Sequence, residues 1–179
     1  MTFLPDDYTP PLLAAGHYMK LVQGKNTFRI IGSAIVGWVW WTEEDGMRKP
    51  TRSKTKPSNS EFEEKPKHFI AFPIWNHEAE CIQIFEVTQS SIRDQLLEFS
   101  RDPDWGDPKN YDIAIARDGE GLETTYATIP KPPAKLSEAA IALIKEKLPL
   151  INLEALYDGD DPFAAFGEDA PVAADEVPF

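Results

Sequence analysis

Residues 26–42 read NTFRIIGSAIVGWVWWT, which places three of the five tryptophans, Trp38, Trp40 and Trp41, within four consecutive positions. An indole offers a flat face on which another ring system can stack, and a strand would hold such faces at fixed separations. Cations surround the run, with Lys20, Lys25 and Arg29 on or before it and Arg48, Lys49, Arg52, Lys54 and Lys56 after it. Rings beside cations match a polyanion that carries bases, and a duplex hides its base faces, so the pattern favours a single-stranded nucleic acid. A second aromatic run, residues 67–75, adds Phe69, Phe72 and Trp75 as stacking candidates and Lys67 as a phosphate contact.

The formal charge of −12 opposes that reading until its distribution is considered. Residues 158–179 hold seven acids (Asp158, Asp160, Asp161, Glu168, Asp169, Asp175 and Glu176) and no base, so this stretch carries more than half of the net charge. Over residues 16–56 the balance reverses, with eight bases against three acids, Glu43, Glu44 and Asp45. The chain is dipolar, with a basic front suited to a polyanion and an acidic rear.

Catalytic chemistry finds few candidates. Of the three histidines, His17, His68 and His77, no pair has metal-ligand spacing, and His77-Glu78 lies across a turn from Cys81 instead of on one helix face. Cys81 is the single cysteine, which excludes an internal disulfide and a multi-cysteine zinc site; alternation makes it a small buried strand residue. No serine or cysteine sits in a nucleophile elbow, and Gly119-Glu120-Gly121 has no helix after it to form a phosphate loop. The expectation is a binding protein without enzymatic activity, cofactor or metal. No stretch reaches the roughly eighteen apolar residues of a membrane helix. The start, residues 1–11, has acids and prolines where a signal peptide has bases, so a soluble, cytoplasmic protein is expected.

Holding the rings and cations in place requires strands. Residues 1–15, with Pro5, Pro10 and Pro11, read as an extended lead-in, residues 16–157 as one domain, and residues 158–179 as a disordered acidic tail. Residues 17–22 and 27–31 alternate as a hairpin, and residues 34–42 form the next strand, bent or bulged at Gly37. Period two sets Val36, Trp38 and Trp40 on one face and Ile35, Val39 and Trp41 on the other. One face is core, so either the Trp38/Trp40 pair or Trp41 is exposed, unless all three indoles are buried. Residues 42–67 read as a long loop, basic then acidic, able to close over a ligand's backbone. Residues 67–75 and 79–87 are strands, and a helix capped at Thr88 or Ser90 runs to about Ser100 with Ile92, Leu96, Leu97 and Phe99 on one stripe. Residues 111–116 and 124–129 form a hairpin, residues 130–133 break the chain, and Ser137 caps a helix to about Lys147. Short strands with one helix inserted late give a mainly β, α+β chain and suggest an OB-fold-like Greek-key barrel.

The body of the chain resembles the single-stranded DNA-binding proteins of tailed bacteriophages. The resemblance lies in residues 26–30, 37–42, 67–75 and 83–88, in Gly106-Asp107-Pro108 with Tyr111-Asp112-Ile113, and in Gly119-Glu120-Gly121, within residues 16–133. The last five residues, Asp175, Glu176, Val177, Pro178 and Phe179, resemble the acidic tip of bacterial single-stranded DNA-binding proteins, with Val177 where isoleucine is usual and fewer consecutive acids. The zinc-binding cysteine cluster of some phage helix-destabilising proteins is absent, so that metal role does not carry over, and neither does the bacterial tetramer. The resemblance implies a non-enzymatic protein that coats and protects single-stranded DNA in replication, recombination or repair inside a bacterial host. Its tip would recruit replication and recombination proteins, the Phe179 ring entering an apolar pocket and its carboxylate meeting a basic rim. A recombination mediator or replication adaptor working mainly through the tail is the alternative, with a DNA-modifying enzyme such as a nuclease more remote.

Overall fold

The computed structural model describes residues 16–58 and 65–166. Seven strands form one antiparallel sheet: β1 (Gly24–Ile30), β2 (Ile35–Glu44), β3 (Met47–Ser53), β4 (Lys67–Asn76), β5 (Cys81–Val87), β6 (Tyr111–Asp118) and β7 (Thr125–Pro133). Helix α1 (Ser90–Arg101) joins β5 to β6, while α2 (Glu138–Lys147) and the short α3 (Ala155–Asp158) follow the last strand. The fold is mainly β with few helices, and no helix of the described residues is long and apolar enough to cross a membrane.

Strand β4 organises the sheet. Its residues from Phe69 to Trp75 are apolar on both faces, the composition of a strand covered on both sides. One edge pairs with β5 from Asn76–Cys81 to Ile70–Val87, and the other carries β1 and β2 end to end. Ile30 opposes Ile74 while Ile35 opposes Ala71, so a two-residue bulge lies between β1 and β2. Pro73, which has no N–H to donate, stands opposite that bulge. The bend is therefore not at Gly37, which pairs in register with Phe69. Gly37 is required for a different reason: a Cβ there would run into the Ser53 carbonyl oxygen and crowd the Phe69 and Tyr157 rings. Past the bulge the sheet divides, with β6 and β7 continuing from β1, and β3 continuing from β2.

Two hydrophobic layers result. On the front, Phe28, Phe72, Phe85, Tyr111, Ile113 and Ile115 pack against Ile92 and Leu96 of α1. On the rear, Val39, Phe69, Ala71 and Ile84 pack against Leu156 and Phe163, and Trp75 and Ile82 pack against Ala140 of α2.

The fold corrects several expectations. Residues 47–53 are a strand, joined to β2 through a two-residue Asp45-Gly46 turn with positive φ at both positions (53° and 76°). Residues 17–22 contribute only one parallel bridge, Tyr18–Ile84, on the outer edge of β5. Pro130 and Pro133 do not end β7; they belong to it, which an edge strand allows. Gln89, with no side-chain cap bond, precedes α1, whereas Ser137 caps α2 by accepting from the Ala140 N–H, as its type and position indicate. Residues 158–166 are folded against the rear of the sheet: Phe163 is 1% exposed and stacks on His17 with ring centroids 4.0 Å apart. The lead-in of residues 1–15 and the tail beyond residue 166 lie outside the described residues.

Two measurements check the rear layer. Phe163→Ala is expected to cost about 3–5 kcal/mol of stability, read from chemical denaturation, and shortening the chain after Tyr157 to cost far more than shortening it after Phe166. Burial lowers the pKa of His17 from 6.5, against the opposing pull of Asp161. The unfolded chain then takes the proton first, so the contribution of the neutral ring is full above pH 6.5 and is lost as pH falls through that value toward the folded pKa. Between pH 7 and 5 the wild type should lose more melting temperature than His17→Gln.

Candidate nucleic-acid interface

Strand β2 is longer than its contact with β4. Its pairing with β4 ends at Val39–Lys67, while its pairing with β3 continues to Glu44–Met47, so the end of the β2–β3 hairpin projects beyond β4 as a two-stranded arm. Opposite charges face each other across this arm at Glu43–Arg48, and Thr42 and Thr51 share a hydrogen bond of 3.1 Å.

The pleat divides the arm into two sides. Trp38 and Trp40 share the front with Val36 and, across the strand pair, with Lys49, Thr51 and Ser53. Trp41 shares the rear with Arg48, whose guanidinium lies 5.0 Å from the indole centroid. All three indoles are half-buried, which excludes the reading that puts all of them in the core. Trp38 has two neighbours: the His68 ring, with centroids 5.2 Å apart, and the Lys56 ammonium, 5.0 Å from its centroid. A cation over an indole draws the two together without using up the cation's hydrogen-bond donors.

Next to Trp38 the front face opens into a groove of about 460 Å³ between the sheet and α1. Ile70 and Phe72 of β4 and Val36 of β2 line one side, Leu96 and Leu97 the other, and Arg93, Asp107 and Lys109 are among its charged lining residues. The carboxylate of Asp107 is engaged locally, accepting from the Lys109 N–H at 2.9 Å and standing 3.7 Å from its ammonium.

The remaining candidates separate from this face. Phe69, Phe72 and Trp75 are 0, 3 and 7% exposed and belong to the cores, so none stands on the Trp38 and Trp40 face, and Phe72 contributes only to the wall of the groove. Arg29 is 4% exposed; its Nε donates to Asp112 Oδ1 at 2.8 Å and its Nη2 to the Ala134 carbonyl at 2.8 Å. Arg52 forms a two-point contact with Glu86, the shorter bond 2.7 Å, with both side chains under a tenth exposed. These two arginines join elements of the fold. Lys20 and Lys25 are exposed at and before the start of β1, at the opposite end of the β1–β2 strand from the indoles. Lys67 is exposed at the start of β4 on the rear side, opposite Val39. Lys56, counted in the basic run, lies against the front at Trp38. Arg93 and Lys109, which line the groove, were missed, since nothing local in the sequence marks them.

Cys81 opens β5 as a half-buried free thiol, and burial pushes its pKa up, leaving it protonated and poorly nucleophilic near neutral pH. Among the described residues no group of three or more His, Cys, Asp and Glu side chains is placed to hold a metal ion. No family model, curated protein or solved structure matches the chain.

The arginine assignments lead to a clear contrast. Arg52→Ala leaves Glu86 buried without its partner and should cost about 3–5 kcal/mol in denaturant unfolding. Lys49→Ala, at an exposed pair 3.9 Å from Glu44, should leave stability within about 1 kcal/mol of wild type.

Proposed function

We propose that the front of β2 and its arm bind single-stranded DNA, and that the protein coats and protects such strands in replication, recombination or repair without being an enzyme. The observation that carries this reading is Trp38, a half-buried indole with Lys56 against its ring, beside an open apolar groove. A base stacked on that ring gains roughly 1–3 kcal/mol, and the ammonium meets the adjoining phosphate. Trp40 follows on the same face, about 6.6 Å farther along the strand. That is about twice the 3.4 Å rise of bases in a duplex, a spacing suited to an extended single strand.

In the same reading the sheet is an OB-type Greek-key arrangement. Its elements follow the order of that fold: a long bent strand (β1–β2), β4 and β5, a helix, then the β6–β7 hairpin beside β1, with β3 added as the arm. The rear face of β4 and β5 is taken by Leu156 and Phe163, which leaves the arm and the front for DNA. To the acidic segment ending in Asp175, Glu176, Val177, Pro178 and Phe179 we assign the recruitment of replication and recombination proteins, on the strength of its resemblance to bacterial tips.

Titration with oligo-dT, followed by tryptophan fluorescence, tests the reading. Strong quenching that weakens with added salt is expected, with a log–log slope near −3 if about four cations meet phosphates. Trp38→Ala should lower affinity on the order of ten-fold. Unchanged affinity in that variant, or equal affinity for duplex, contradicts the proposal.

A further inference from the structure

The front groove differs in kind from the Trp38 platform beside it. At about 460 Å³ it falls within the range of small-molecule sites, and its walls are apolar. Val36 and Leu97, on β2 and α1, are 53 and 44% exposed, although both line a concave surface where a core would have covered them. The charged groups of its lining are two cations and one carboxylate, Asp107, which stands 3.7 Å from the Lys109 ammonium. Arg93 gives its Nε to Asp94 at 3.2 Å, which leaves the rest of a five-donor guanidinium, and Lys109 lies toward the loop before β6. An occupant suited to this lining has apolar faces and an anionic attachment.

His68 connects the groove to the platform. It lines the groove, and its ring lies 5.2 Å from that of Trp38, so a strand crossing the indole reaches the groove without a gap. From this continuity and the two cations we infer that the groove is a base-insertion subsite: it takes one unstacked nucleobase of a strand whose neighbouring base stacks on Trp38, while Arg93 and Lys109 face the sugar-phosphate. The inference rests on the single-stranded DNA reading and adds to it a position at which a base enters the protein instead of lying on its surface. Insertion requires a nucleotide free of its partner and of one stacking neighbour, which a duplex does not supply.

The test uses the full chain and oligo-dT strands in which one thymidine at a time is replaced by 5-iododeoxyuridine. After irradiation, cross-links are mapped by mass spectrometry. The expected result is one nucleotide position joined to His68 or to the Leu97–Ser100 side of the groove, with an adjacent position joined to Trp38. Ala34→Phe, which fills the groove from the exposed bend before β2, should weaken oligo-dT binding on the order of ten-fold and leave quenching at saturation unchanged. Leu97→Gln, on the solvent side of α1, should give a smaller loss at an unchanged melting temperature, so that a folding defect in Ala34→Phe is recognised. Cross-links confined to Trp38, Trp40 and the arm, with both variants binding as wild type, overturn the subsite and leave the DNA reading standing. Binding of an acidic peptide in the groove with no oligo-dT quenching overturns both.

Discussion

From Ile70 to Asn76 strand β4 has a neighbour on each edge, and the rest of the molecule follows from that. Both edges carry partners and both faces carry hydrophobic layers, so Phe69, Phe72 and Trp75 hold the sheet together, Phe72 also forming part of the groove wall. The share of β4 in any binding surface is limited to His68, Ile70 and Phe72, which line the front groove. What remains is β2, which reaches past it: Trp40 and Trp41 lie beyond the last β4 pair, on an arm whose cations Arg48 and Lys49 come from β3.

Charge follows the same division. The basic front is less uniformly basic in space than in sequence, because Arg29 and Arg52 are drawn inward to Asp112 and Glu86, and Lys54 turns to the rear, 2.9 Å from Glu154. Cations from other parts of the chain take their place, with Arg93 from α1 and Lys109 from the loop before β6 lining the groove. Asp158, Asp160 and Asp161 belong to the rear segment that carries α3 and Phe163, away from the proposed track.

Alternation along single strands was legible because burial follows the pleat: the limits of β4, β5, β6 and both long helices lie within a few residues of those expected from sequence. Strand β3 was not, because Arg48, Lys49 and Pro50 have the composition of a loop; the Asp45-Gly46 turn that pairs them was the available signal. The roles of Arg29 and Arg52 were hidden for another reason. Each carboxylate partner is 83 or 34 residues away, and only the sheet topology brings the pairs together. Phe163 was misread because it sits among Asp160, Asp161 and Glu168, where composition predicts disorder, yet its ring, with Phe166 against it, packs on His17 and the rear core. The groove needed α1 in place before it existed at all, and Leu97, which reads as part of the buried stripe, turns out to be one of its exposed walls.

The central claim is that the front of β2, and not the buried rings Phe69 and Trp75 of β4, meets nucleic acid. Each of the five tryptophans contributes one indole N–H signal to a proton–nitrogen correlation spectrum, which makes them separable reporters. On addition of oligo-dT, the account predicts that the Trp38 and Trp40 signals shift or broaden while those of Trp75, in the rear core, and Trp105, packed on Phe99 and Tyr111, stay in place. Static Trp38 and Trp40 signals, or changes confined to Trp75 and Trp105, would contradict it.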